Sequence, residues 1–189
     1  MKKTNQLTLA AMFFTIGLIL PFLIGQIPAI GQMLLPMHIP VLLCGLIVGW
    51  KYGFAVGFLL PLMRGVLFGM PVLFPNGVAM AFELGTYGLV AGFLYGRSRW
   101  QCVRALYRSL IAAMITGRLV WGVVRTLLIL PGGGAFTWSM FLAGALLNAV
   151  PGIILQLILI PAIMVALNRA KIVPFHKEAS LRTEAGRRS

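Results

Sequence analysis

Acidic residues are nearly absent: the 189-residue chain has three, Glu83, Glu178 and Glu184, against sixteen Lys and Arg. Charged residues of both signs make up only 10%, where soluble globular proteins average about 25%. So few charges cannot cover a water-exposed surface. A soluble enzyme, a disordered tail and a nucleic-acid-binding module are excluded together. There are only two cysteines, Cys44 in an apolar run and Cys102 in a basic linker, so neither a disulfide framework nor a metal site follows. Catalytic signatures are missing too. The chain has no Gly-x-Ser-x-Gly, no His-Glu-x-x-His and no phosphate-binding Gly-x-x-x-x-Gly-Lys-Ser/Thr loop. It therefore hydrolyses no ATP itself, and no catalytic residue and no bound cofactor is assigned to it.

What the chain has is apolar length. Hydrophobic residues make up 60%, and the mean hydropathy is +0.96. Apolar runs of about 17–25 residues mark membrane-spanning helices, and six are expected: 7–25, 33 or 36 to 50, 52–70, 76–96, 109–130 and 136–168. The fold class is thus an all-α membrane protein with six transmembrane helices. The last run is long for one span. Pro151 and Pro161 are expected to kink it; otherwise its outer part is a short surface helix, leaving five spans and a re-entrant piece.

Basic residues alternate with these runs. Lys2, Lys3, Lys51, Arg97, Arg99, Arg104, Arg108, Arg169, Lys171, Lys177, Arg182, Arg187 and Arg188 all fall on one side, thirteen of the sixteen. The opposite connections, 26–32, 71–75 and 131–137, carry no Lys or Arg. Basic loops stay in the cytoplasm, so both termini are expected there, with the chain multi-pass in the cell membrane. The first run exceeds the core of a cleavable signal peptide and lacks a small-residue cleavage site. Residues 1–171 are read as one six-helix transmembrane domain and 172–189 as a basic cytoplasmic tail. That tail orients the chain and touches anionic membrane lipid.

Gly45, Gly49, Gly53 and Gly57 recur every four residues, and so do Gly88, Gly92 and Gly96. Such ladders let helix backbones approach closely where the lipid supplies no hydrophobic drive; packing within this one chain is their expected use. Ala11-x-x-x-Thr15 makes a shorter small patch on the first span.

Ionisable groups inside a bilayer are costly and face a cavity or a partner. The spans hold four: Arg64, Glu83, Arg118 and Arg125, with His38, Asn76, Asn148 and Gln156 adding uncharged polarity. At about 1.5 Å per residue, Arg64 and His38 lie roughly 18 Å above the basic side and Arg125 about 24 Å, while Glu83 lies about 10 Å below the opposite side. Arg118 is deeper, and shares one helix face with Trp121 and Arg125. It either meets a ligand or only orders the fifth span. An ion pair of Glu83 with Arg64 would tie two spans together, but three arginines against one acid leave two positive charges over. An outward-facing cavity for a small anionic solute accounts for that surplus. His38, in Pro36-Met-His-Ile-Pro40, either contacts ligand or hydrogen-bonds a carbonyl opened by the prolines. Asn76 either lines the site or caps the fourth span.

The stretch Leu35-Pro-Met-His-Ile-Pro-Val-Leu-Leu-Cys-Gly-Leu-Ile-Val-Gly-Trp-Lys-Tyr-Gly53, and the second stretch Met70-Pro-Val-Leu-Phe-Pro-Asn-Gly-Val-Ala-Met-Ala-Phe-Glu-Leu-Gly-Thr-Tyr-Gly88, resemble the second and fourth spans of the substrate-binding S components of energy-coupling factor (ECF) vitamin transporters. The resemblance implies a subunit that binds a vitamin in its outer half. It also implies a membrane scaffold (T) subunit and two ATP-binding cassette ATPases that hydrolyse ATP in partnership with it. An Ala-x-x-x-Ala patch on that family's first span contacts the scaffold; here the matching positions are Ala11 and Thr15. Substrate is then expected around Arg64, Glu83, Arg125 and Asn148, with Trp121, His38 and Asn76 beside them. Surplus arginine favours a carboxylate or phosphate over cationic thiamin. Pantothenate ranks first, ahead of folate, niacin and vitamin B6 compounds. Two other classes stand beside this one: a self-sufficient ion-coupled permease for an organic anion, and a membrane-embedded enzyme on lipid headgroups with His38 and Glu83 as its acid–base pair.

Overall fold

The apolar runs fold as helices wherever no breaker interrupts them. The computed structural model describes residues 3–24, 36–98, 101–130 and 150–173. They form α1 (Lys3–Ile24), α2 (His38–Ile47), α3 (Trp50–Phe68), α4 (Val78–Arg97), α5 (Val103–Ile129) and α6 (Val150–Arg169), and no strand occurs among the described residues. Five of the six helices are long and apolar enough to cross a membrane.

The exception is α2, a shorter apolar helix than the second run of the sequence. Its 10 residues extend only about 15 Å. Pro40 has no backbone N–H to donate, which is tolerated only in the first turn of a helix, so the helix starts at His38 and not earlier. At the other end Gly49 adopts φ 120°, a conformation side-chain-bearing residues rarely reach, and the chain turns directly into α3. Every residue from His38 to Leu46 is buried. A short helix apolar on all sides packs inside protein rather than against lipid. Within the sixth run the described residues form α6 from Val150 to Arg169, with Pro161 inside it. Residues 131–149 and the tail from 174 onward lie outside the described residues.

Close backbone approach holds the centre together. A Cβ on Gly53 would sit 2.6 Å from the Gly45 Cα, and one on Gly92 would sit 2.5 Å from the Gly45 carbonyl oxygen. Gly88 and Gly53 face each other with no room for a side chain between them. The ladders therefore clasp α2, α3 and α4 within the chain, as expected. On its other face α4 packs against α5, α6 leans on α5 and α2, and α1 lies at the edge against α2 and α3.

Consecutive helices run in opposite directions. Gln6 Nε2 donates to the Val48 carbonyl at 3.5 Å, pinning the start of α1 beside the end of α2. Trp50 meets Phe93 edge-on at 6.5 Å, joining the start of α3 to the end of α4. Lys3, Lys51, Arg97, Arg104, Arg108, Arg169 and Lys171 thus gather at one end of the bundle, here called the basic end. The polar residues of interest lie toward the other, far end.

Candidate functional site

Leu42 of α2, Tyr87 of α4, Met114 of α5 and Ile160 of α6 belong to one apolar cluster. Four residues nearer the far end on each helix, one turn away, stand His38, Glu83, Arg118 and Gln156. All four helices place a polar side chain at the same level, directly above an apolar layer. His38, Glu83 and Gln156 are each 1% exposed.

Glu83 is the hub of this layer. Its Oε1 lies 2.9 Å from Arg118 Nη1 and 3.7 Å from His38 Nε2, the latter too far for a hydrogen bond. The His38 ring has the Tyr87 ring tilted against it, with 5.2 Å between ring centres. The Tyr87 ring fits because residue 117 is glycine: a Cβ there would collide with it. Neither nitrogen of His38 has a hydrogen-bond partner among the described residues, so of its two alternatives the bond to a carbonyl does not form among them.

A second group forms nearer the far end. Arg125 Nη1 donates to Asn76 Oδ1 at 2.8 Å, and the guanidinium lies 5.1 Å from the Trp121 ring centre. Trp121 is buried against Ala79, which fixes the platform under the charge. Asn76 belongs to a wide turn, Leu73–Gly77, that leads into α4 and bears no side-chain cap bond at the helix start. Its side chain serves Arg125 and does not cap α4.

Arg64 stands apart, and this corrects its placement with Glu83. Its Nε donates to the Met70 carbonyl and its Nη1 to the Leu18 carbonyl, both at 3.1 Å, and the guanidinium lies 5.0 Å from the Phe22 ring. The reason is rotational. Helix α4 presents its glycines to α3 and turns Glu83 toward α5, where Arg118 waits. Arg64, one turn before the end of α3, finds carbonyls of α1 and of the following loop at the rim. Asn148 lies outside the described residues. Ala11 and Thr15 both face outward from α1, with Thr15 Oγ1 donating to the Ala11 carbonyl at 3.0 Å.

The structure thus joins His38 to Glu83, and Asn76 to Trp121 and Arg125, and adds three residues the sequence reading had not placed in the site. Arg118 is the ion partner of Glu83, Tyr87 the ring packed on His38 and Gln156 the polar group of α6. A signal for Gln156 was available: it is four residues from Ile160, on the same helix face as a core residue. Among the described residues no group of three His, Cys, Asp or Glu side chains could hold a metal ion. A groove of about 540 Å³ between α5 and α6, touching Tyr107 and Arg169, opens at the basic end away from both polar groups.

The family model described as ECF transporter, substrate-specific component, matches residues 5–164. No curated protein and no solved structure matches the chain.

Proposed function

The chain belongs to the substrate-specific components of ECF transporters, and from that premise we propose that it captures a small anionic vitamin in the far half of the bundle, with pantothenate ranked first and folate, niacin and vitamin B6 compounds behind it. The family is one of transporters, and the chain is a multi-pass membrane protein.

The observation that carries the reading is the charge balance around two ordered arginines. Glu83 is the only acid between residues 1 and 177, and it is spent on Arg118 at 2.9 Å. Arg125 and Arg64 bring positive charge that no further acid in the spans can balance, and charge at membrane depth needs an anion or water. Arg125 is also pre-positioned. Asn76 holds one edge of its guanidinium and Trp121 supports its face, so a carboxylate meets a donor array already oriented. Arg64 borders the same far end. With the basic end in the cytoplasm, this site opens to the outside. ATP is hydrolysed by two partner ATPases, and a scaffold subunit couples them to this chain through the outward face of α1.

Calorimetry on the purified chain without ATP tests the reading, using pantothenate, folate, nicotinate, pyridoxal phosphate and cationic thiamin. Pantothenate is expected to bind most tightly, and Arg125→Ala to weaken it at least tenfold. Preference for thiamin, or silence from the whole panel, would overturn the proposal. Uptake by the lone chain in proteoliposomes under an ion gradient would mark a self-sufficient permease instead.

A further inference from the structure

We infer that His38, Gln156 and the unused edge of the Arg118 guanidinium form a second ligand subsite, a polar floor that takes an uncharged hydrogen-bonding group, hydroxyl or amide, of a substrate whose anionic end is held at Arg125. The inference rests on the proposed binding function and narrows its substrate class.

Burial without partners is the first ground. Both ring nitrogens of His38, both amide atoms of Gln156, and Nε and Nη2 of Arg118 have no hydrogen-bond partner among the described residues. Leaving a buried donor or acceptor unsatisfied costs about 1–3 kcal/mol per group. Apolar side chains at these places would spare that cost, and one turn below the same helices carry them: Leu42 on α2, Met114 on α5 and Ile160 on α6. A bundle built only for tight packing has no use for three such residues on one level.

Arrangement is the second ground. The floor draws on α2, α5 and α6, and Glu83 of α4 engages one terminal nitrogen of Arg118, leaving the opposite edge for another acceptor. Glu83 is therefore a positioning residue for Arg118. Beneath the floor the apolar layer closes off the basic end, so a ligand reaches it from the far end, past Trp121 and Arg125.

Spacing sets the shape of the ligand. Arg118 and Arg125 are seven residues apart on one face of α5, two turns or about 10 Å. A molecule that spans this interval is elongated, with an anion at one end and neutral donors and acceptors at the other. Pantothenate has that layout, with its carboxylate remote from its hydroxyls. Nicotinate, a single ring bearing a carboxylate, is too short.

The test uses Gln156→Met and His38→Leu, which keep bulk and remove hydrogen bonding, in the full chain washed free of ligand. If the floor is a ligand subsite, each variant melts higher than wild type, by about 2–4 °C for a chain of this size, because an unpaired buried polar group has been removed. Each should also raise the Kd for pantothenate at least tenfold. Lower melting temperatures would show that these side chains stabilise the fold, and would overturn the subsite. An unchanged Kd for pantothenate would overturn it as well. If no vitamin of the panel binds wild-type protein, the anionic-vitamin reading and the subsite fall together; if pantothenate binds wild type and both variants alike, the subsite alone falls.

Discussion

Glu83 and Arg118 meet at 2.9 Å with side chains 2% and 12% exposed, so neither charge has water to fall back on. Removing one partner of such a pair costs about 3–5 kcal/mol, whereas replacing both with apolar groups of similar size is often neutral. Glu83→Leu alone should therefore lower the melting temperature in detergent by several degrees, and the double variant Glu83→Leu/Arg118→Met should recover most of the loss. A double variant no better than the single one would contradict an ion pair. That Glu83 needs an arginine was legible from the residue counts. Which arginine was not, because depth along a helix follows from sequence position while the direction a side chain faces depends on how each helix is rotated against its neighbours. Arg64 and Arg118 both stood at suitable depths, and only the glycine face of α4, turned to α3, sends Glu83 to α5.

At the scale of elements, the four-residue glycine spacing decides which helices touch. A Cβ on Gly88 would run into the backbone of Gly53, and backbone cannot rotate aside as a side chain can. Gly88→Ala must push α3 and α4 apart, with a loss of about 1–3 kcal/mol or more from overpacking. It should appear as lower folded yield and lower melting temperature. Gly96 continues the same repeat, yet no atom of the described residues lies within 4 Å of a Cβ placed there. Gly96→Ala is expected to be neutral or to stabilise by up to about 1 kcal/mol through helix propensity. Equal effects from the two substitutions would break the argument that contact, not spacing, matters. The same elements show where periodicity misleads. The second apolar run reads as a span because hydropathy counts residues and ignores that Pro40 and Gly49 bracket a helix of only three turns. Its burial on every side suits the core of the bundle, and it carries His38 to the level of Glu83.

For the whole molecule, α1 is the peripheral element. It packs against α2 and α3 and turns Leu7, Ala11, Met12, Thr15 and Ile19 outward. The Thr15 hydroxyl is satisfied within its own helix, so the patch presents small, self-contained side chains to a partner helix. Ala11→Leu/Thr15→Leu should leave vitamin affinity measured by calorimetry unchanged. It should abolish copurification with the scaffold and ATPases, and with it ATP-driven uptake in proteoliposomes. Loss of vitamin binding in this variant would mean that α1 supports the site and not the assembly.

Composition and the alternation of apolar runs with basic links were enough to indicate an all-helical membrane chain. Its two quoted stretches were enough to point to the family that the model over residues 5–164 then showed. Those features depend on transfer of side chains out of water, a property each segment carries alone. The partition of the polar residues was not accessible in that way. The pairing of Arg118 with Glu83, the platform of Asn76 and Trp121 under Arg125, and the level shared by His38 and Gln156 all depend on the rotation and register of helices. Distant glycines and packed core residues set these, so only the tertiary structure could decide them.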